Sequence, residues 1–301
     1  MGVPVGDALS AAVARLARRG LPASDAEELL SRLLGVERGG LRLARARALT
    51  AAEAARFEAW LARREAGEPV QYVTGRAAFR HLDLAVDRRV LIPRPETEGL
   101  VEAVLEVLAA ERARWARPRV LDLGTGSGAI ALALAHEWPT AAVVAGDASD
   151  AALAVARANA AALGLAARVT FREGDWFGAV GADERFEVVV ANPPYIAESE
   201  AETLPADVRA WEPHAALFGG GDGLEALREI VDDAPRHLVA GGLLALELAE
   251  MRAAEVAAWL EGAHDWHGVD LRADLAGRPR VLLARRERGP AIAPAQWGEE
   301  R

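Results

Sequence analysis

Apolar residues recur every three to four positions through residues 5–66: Leu9, Val13 and Leu16, then Leu29, Leu30, Leu33 and Leu34, then Phe57, Trp60 and Leu61. That spacing puts them on one face of successive helices. Gly20-Leu21-Pro22 and Gly39-Gly40 interrupt the pattern, while Ser24 with Glu27 and Thr50 with Glu53 have the form of capping boxes. A small helical bundle is therefore predicted over residues 1–67. It carries no catalytic constellation of its own, and its composition fits a domain that only packs as well as one that recognises a partner.

Between 68 and 95 the period changes. Val70, Tyr72 and Val73, then Phe79, Leu82, Leu84 and Val86, alternate loosely, with turn signals at Thr74-Gly75 and Asp87-Arg88. This predicts a β-hairpin linking two domains. The proline-stiffened segment 92–98 follows, with a helix starting at Glu96 or Thr97 and running to Leu108.

From Arg119 onward, strand and helix patterns alternate, the mark of a parallel α/β sheet. Strands are expected at 120–123, 142–145, 169–171, 186–190, 243–248, near 269–271 and at 281–284. Helices are expected at 129–136, 151–163 and about 224–238. The sheet domain so delimited spans 96–286, and 287–301, with Gly289, Pro290 and Pro294, reads as a loose, disordered tail.

Composition narrows the classes. The chain has 301 residues, 51% hydrophobic and 27% charged, enough for a substantial core and too apolar for a disordered protein. No apolar run reaches the roughly 18 residues of a membrane span, and no signal-peptide pattern opens the sequence. A cytoplasmic location is the expectation. Cysteine is absent, which rules out disulfides and thiolate metal sites. The formal net charge is −10, which argues against nucleic acid as the main partner. The sequence contains no lysine, so every fixed side-chain cation is an arginine, a bias better explained by GC-rich coding than by function. Of the six histidines only His264 and His267 are close, at a spacing compatible with one helix face. No third ligand is in sight, so no metal site is expected.

The chemistry concentrates at the predicted strand ends. Leu121-Asp122-Leu123-Gly124-Thr125-Gly126-Ser127-Gly128 sets a glycine-rich turn between a strand and a helix, where backbone N–H groups meet a ligand closely. Dinucleotide enzymes use a related turn, so the turn alone does not specify the ligand. Asp122 and Asp147 end the first two strands, placed to accept hydrogen bonds from ribose hydroxyls. Trp176, after the third strand, offers a ring for an adenine, although alone it would read as a core aromatic. A nucleoside cofactor is expected on Gly124, Thr125, Gly126, Ser127, Gly128, Asp147, Trp176 and Asn192.

The fourth strand ends in Asn192-Pro193-Pro194-Tyr195. The residue before a proline is held extended, and a proline has no N–H. The Asn192 side-chain oxygen and the Pro193 carbonyl are thus free to accept from an incoming NH2 group with no local donor competing. Tyr195 adds a ring face. Asn-Pro is also an ordinary turn signal, and the other strand ends decide the reading.

Together these motifs resemble the class I S-adenosylmethionine-dependent methyltransferases that methylate planar nitrogens. With Gly67-Glu68-Pro69-Val70-Gln71-Tyr72, Phe79, the segment Ile92-Pro93-Arg94-Pro95-Glu96-Thr97-Glu98, Glu212-Pro213, Gly219-Gly220, Asp222-Gly223-Leu224 and Asp274-Leu275-Ala276-Gly277-Arg278, the chain is similar over about residues 20–286 to the release factor glutamine methyltransferase family. A sister family acting on a ribosomal-protein glutamine tends to have Arg-Ser-Pro where this chain has Arg94-Pro95-Glu96. One departure is Glu247-Leu248-Ala249-Glu250-Met251, where the family often has Glu-x-Gly followed by a glutamine; this affects packing rather than the cofactor or amide sites.

The resemblance implies a Rossmann-like, mostly parallel seven-stranded sheet and S-adenosyl-L-methionine as cofactor. It implies methyl transfer to the N5 amide of the glutamine in the Gly-Gly-Gln loop of peptide chain release factors, by a monomer without membrane association. Catalytic roles fall to Asn192, Pro193 and Tyr195, and substrate contacts to these with Pro194, Phe79 and Arg94. Two other readings are an adenine amino-methyltransferase, which grips a flipped base with the same tetrapeptide, and a non-enzymatic module with a vestigial cofactor site. The acidic balance and small N-terminal domain weigh against the first, the intact motifs against the second.

Overall fold

The computed structural model describes residues 2–287. Helices α1 (Val5–Ala17), α2 (Ala23–Leu34) and α3 (Ala51–Glu65) form the N-terminal bundle, followed by the short α4 (Val70–Thr74). Thr50 caps α3 in a true capping box, its own N–H donating to Glu53 at 2.9 Å. Ser24 does not cap α2. That helix begins at Ala23 behind Pro22, whose fixed φ sets the entry, and Ser24 falls inside the first turn with no cap bond.

Val70, Tyr72 and Val73 are also not part of a hairpin. They form α4, where Val70 and Val73, three apart on one helical face, join the bundle core while Tyr72 enters a separate cluster with Val86, Val90 and Ile92. The period-2 reading failed because three apolar residues fit either period. The hairpin itself is shorter, β1 (Arg76–Phe79) paired antiparallel with β2 (Leu82–Ala85).

This hairpin is fastened down. At its turn Arg80 sits at φ 49°, its N–H donating to Glu98 at 2.9 Å and its guanidinium to Glu102 and Glu137 at 2.7 Å. At its far end Asn159 accepts from the Ala85 N–H at 2.7 Å and donates to the Ala85 carbonyl at 3.0 Å. The link between the two parts is thus packed on the sheet domain.

Helix α5 (Pro95–Ala110) starts at its proline rather than at Glu96 or Thr97, the first helical position being one where a missing N–H costs nothing. Then follow β3 (Arg119–Leu123), α6 (Ala129–Glu137), β4 (Ala142–Asp147), α7 (Asp150–Ala162), β5 (Val169–Glu173), β6 (Phe186–Ala191), α8 (Ala206–Trp211), α9 (Glu225–His237), β7 (Leu238–Glu247), α10 (Glu250–Gly262), β8 (Trp266–Ala273) and β9 (Pro279–Arg286). The seven strands lie in the order β5-β4-β3-β6-β7-β9-β8, with β9 antiparallel to both neighbours and all other pairs parallel. Strand β6 shows why the central sequence is continuously apolar: Val188 and Val190 face one core with Leu100, Val104 and Leu132, and Val189 faces the other with Leu227, Ile230 and Leu244.

Helix α10 was not read from the sequence. It is held by Ala253, Val256 and Leu260, a helical stripe too short to stand out among alanines. His264 and His267 share no helix, since α10 has ended before His264 and His267 lies in β8. The expected tail, 287–301, lies outside the described residues apart from Glu287. Among the described residues no helix is long and apolar enough to cross a membrane.

The bundle carries one buried ion pair, Arg64 Nε to Asp25 Oδ2 at 2.7 Å, which joins α3 to α2. Arg64 also donates to the Glu68 carbonyl at 3.2 Å, turning the chain into α4. Removing Asp25 leaves the buried Arg64 charge with that carbonyl and only a longer, 3.7 Å contact to the half-buried Asp207 of α8. Asp25→Ala should lower unfolding stability by about 3 kcal/mol, measured by urea denaturation. The exposed pair Arg157–Asp150, cut the same way by Asp150→Ala, should change it by less than about 1 kcal/mol.

Candidate active site

Strands β3, β4, β5 and β6 end along one edge of the sheet, and the predicted motifs meet there. Gly124, Gly126 and Gly128 have φ of 68°, 56° and 84°, a left-handed path that any side chain would strain. Asp122 is wholly buried beneath this turn. Its Oδ2 accepts from the Thr125 hydroxyl at 2.6 Å and the Ala131 N–H at 3.2 Å. Asp122 therefore braces the turn and does not reach a ribose, contrary to expectation. Burial pushes its carboxyl up to about 7, against the pull of the Thr125 and Ala131 bonds. Its Oδ1 has no hydrogen-bond partner.

Asp147 is the carboxylate that faces outward. One oxygen accepts from the Gly126 N–H and the other from the Ser149 N–H, each at 2.8 Å, leaving outward lone pairs on a half-buried group. Trp176, in a 3-10 turn after β5, has φ 40° and lays its ring against Gly124. Such a backbone position in a bulky residue is costly and marks a constrained site. Gly124, Gly126, Asp147, Trp176, Asn192 and Pro194 line one cavity of about 400 Å³. A glycine floor, a carboxylate and an indole face fit a nucleoside. Thr125, Ser127 and Gly128 are buried under the turn and shape this cavity without lining it.

A second cavity of about 300 Å³ adjoins it, lined by Arg94, Asn192, Pro193, Pro194, Tyr195 and Leu217, among others. Asn192 and Pro194 belong to both walls. Arg94 is fixed by the buried Glu212, whose carboxylate accepts from the Arg94 guanidinium at 2.6 Å and from the Ile92 N–H at 3.2 Å. The rigid segment before α5 and the α8 region thereby clamp each other across the mouth. Burial pushes the Tyr195 phenol up, with the Glu247 charge adding to it, so Tyr195 keeps its proton. Phe79 is fully buried in the core beside Leu84 and Leu100 and lines neither cavity. Its aromatic ring is a packing residue of the hairpin, a correction to its expected substrate contact.

Three features of the site escaped the sequence reading. Asn192 donates through Nδ2 to the Thr97 hydroxyl at 3.1 Å. Glu247, at the end of β7, is buried beside them, in the next register position after the Ala191–Leu246 pair. The third is the loop 218–223, which lies against 194–197. Gly219 donates to the Ile196 carbonyl at 3.0 Å, and a Cβ on Gly223, whose φ is 76°, would stand 2.6 Å from the Tyr195 carbonyl oxygen. The glycines of that loop were visible as a motif, but their partner strand was not.

A parallel sheet in which one reversed strand, β9, slots between β7 and β8 is that of a class I methyltransferase. The fold is shared with the solved hMettl16 catalytic domain in complex with a MAT2A 3′UTR hairpin, at a TM-score of 0.55 and 15% identity over 81% of this chain and 84% of that one. The family profile described as PrmC N-terminal domain matches residues 7–75, and that described as methyltransferase small domain matches 101–208. Release factor glutamine methyltransferases from Cereibacter sphaeroides and Moorella thermoacetica are 47% and 44% identical over 281 residues, 93% of this chain and 97% of each relative. That of Koribacter versatilis is 43% identical over 88% of this chain and 91% of its own. The chain belongs to the release factor glutamine methyltransferase family.

The raised Asp122 carboxyl has a definite sign. A buried acid that binds its proton more tightly when folded stabilises the fold at low pH, and that contribution is lost as pH rises from about 4 towards 7. Asp122→Asn removes the charge. Measured by denaturant titration, its stability relative to the unaltered chain should therefore improve steadily across that window. A constant difference would show that Asp122 is not protonated there.

Proposed function

We propose that this protein transfers a methyl group from S-adenosyl-L-methionine to the side-chain amide nitrogen of a glutamine, that of the Gly-Gly-Gln loop in peptide chain release factors. The observation that carries this reading is the shared wall: Asn192 and Pro194 line both the nucleoside-shaped cavity and its smaller neighbour. A group held by Asn192 in the second cavity lies next to whatever occupies the first.

The roles follow from the side chains. Asp147 accepts from the ribose hydroxyls and Trp176 covers the adenine, while the turn at Gly124 and Gly126 leaves room for the backbone to approach. The cofactor, when bound, supplies a methyl already activated by the sulfonium charge. An amide nitrogen is a poor nucleophile because its lone pair is delocalised into the carbonyl. Asn192 Oδ1 and the Pro193 carbonyl accept its two N–H bonds, which localises that pair and aims it. The lone pair so aimed would be the acceptor of the methyl that the bound cofactor supplies, with the thioether as leaving group, and the methylated amide would lose one N–H proton to solvent. Tyr195 stays protonated and serves as a wall for the flat amide rather than a base. Positioning supplies most of the catalysis, and no metal is required.

Substrate choice extends beyond the crevice. Specific protein recognition buries about 1,200–2,000 Å², more than one loop in a 300 Å³ cavity provides. The helical bundle over 1–67, joined to the sheet domain by the fastened hairpin, is the natural source of the remainder. Hydrogen exchange on the complex with intact release factor should show protection on α1–α3 as well as around 192–217. Protection confined to the crevice would remove the bundle from recognition.

Asn192→Ala and Asp147→Ala separate the two subsites. Losing an aligned acceptor in a desolvated site costs on the order of 3 kcal/mol, so Asn192→Ala should lower turnover at least a hundredfold while cofactor affinity by calorimetry stays within a few fold. Asp147→Ala should weaken cofactor binding by roughly 1.5–3 kcal/mol. Near-normal turnover of Asn192→Ala would sink the amide grip, and unchanged cofactor affinity in Asp147→Ala would move the ribose contact elsewhere.

A further inference from the structure

The proposed grip works only if the Asn192 amide presents its oxygen, not its NH2, to the cavity. An asparagine side chain is nearly symmetric in shape, and a half-turn about its last bond would set an NH2 against the substrate NH2. Some group must fix its orientation. The hydroxyl of Thr97, in the first turn of α5, accepts from Asn192 Nδ2 at 3.1 Å. Thr97 is 4% exposed, which keeps this bond on the inner side of Asn192. A hydroxyl has one proton to give, and the Glu247 carboxyl, 1% exposed at the end of β7 and next in register after the Ala191–Leu246 pair, lies close enough to Thr97 for that hydroxyl to lower its pKa. Its other oxygen, Oε2, has no partner. A buried carboxylate with an unfilled lone-pair site is expensive and calls for a reason.

We propose that Thr97 and Glu247 are positioning residues that hold the Asn192 amide with its oxygen towards the substrate. The direction of the chain is dictated by its end. An ionised Glu247 can only accept, so Thr97 must donate to it and keeps its lone pairs for Asn192 Nδ2. The amide oxygen is then the end left facing the cavity. This rests on Asn192 gripping the substrate amide, as set out above. Neutral Glu247 breaks the logic, because it can donate to Thr97, whose own proton is then free to hold the amide oxygen. Burial raises the Glu247 carboxyl to about 7, with the Thr97 bond and the Arg280 and Arg94 charges opposing and Glu96 adding to the rise. The Tyr195 phenol, also close enough to feel Glu247, remains neutral. The grip should therefore strengthen as pH rises through neutrality.

The test measures kcat, KM for intact release factor, and cofactor affinity from mildly acidic to mildly alkaline pH at saturating cofactor. Saturation keeps changes in cofactor affinity from Asp122, which lies under the cofactor turn, out of kcat, and Asp122→Asn, which should keep the rise if Glu247 causes it, separates the two carboxyls. Thr97→Val keeps the shape and removes the hydroxyl, and should lower kcat about tenfold or more, the worth of one hydrogen bond, with cofactor affinity unchanged. Thr97→Ser restores the hydroxyl and should return kcat to within about threefold. Glu247→Gln should flatten the rise of kcat centred near pH 7. Asn192→Ala is the reference. If it is inactive while Thr97→Val matches the unaltered enzyme in kcat and pH profile, the positioning role is overturned and the amide grip stands. If Asn192→Ala is itself active, the grip fails, and the positioning role with it. Should Thr97→Val not fold, a Glu247→Gln enzyme that keeps the full pH-dependent rise overturns the proposal.

Discussion

Strand β6 runs parallel between β3 and β7, and the site depends on that adjacency. Parallel strands send all their carboxyl ends to one edge, and a crevice opens where the strand order reverses. Here the reversal falls between β3 and β6, so the glycine turn after β3 and the Asn-Pro-Pro-Tyr segment after β6 become the two lips of one opening. Neither lip has a partner in its own sequence. The valines of β6, fully buried on both faces, hold the second lip in register with the first to within a single residue, because a slip by one would exchange the two cores.

Around this edge the structure uses carboxylates in three different ways. Asp122 is buried and braces a turn, Asp147 stands half open with its outward lone pairs free, and Glu212 is buried but answered by a cation and a backbone N–H. Their neighbours in space, not their chemical type, separate these roles. Two of them, Asp122 and Asp147, lie at the ends of the adjacent strands β3 and β4 and look alike in the sequence. What distinguishes them is that Asp122 points under the turn, towards the start of α6, whereas Asp147 points over it.

Much of the arrangement was legible beforehand. The seven strands followed from their alternation with helices, the helical bundle from its repeated apolar spacing and the strand-end motifs from their residue types, and the strands of the sheet lie within a few residues of their expected bounds, β7 extending furthest beyond its own. Short apolar groups were not legible. Val70, Tyr72 and Val73 suit a helix or a strand equally, and the bundle core chose the helix. Helix α10 was hidden by its alanines. Phe79 belonged to a motif correctly noticed, but a motif does not say whether a ring faces a ligand or the core. Thr97 and Glu247 were invisible as a pair because they are 150 positions apart along the chain, and only the β6–β7 register and the approach of α5 bring them to Asn192.

Asn159 makes three hydrogen bonds from one side chain: two to the Ala85 backbone at the end of the hairpin and one, at 2.9 Å, to the Ser127 carbonyl in the glycine turn. This amide thus ties the far end of the hairpin to the glycine turn, as the Arg80 contacts to Glu98, Glu102 and Glu137 tie its tip to α5 and α6. Peeling the hairpin away would strand a buried amide donor and acceptor, each costing about 1–3 kcal/mol, and would loosen the turn from behind. A displacement of the hairpin's end therefore reaches the glycine turn through this amide, and a change in the turn's backbone reaches the hairpin in return.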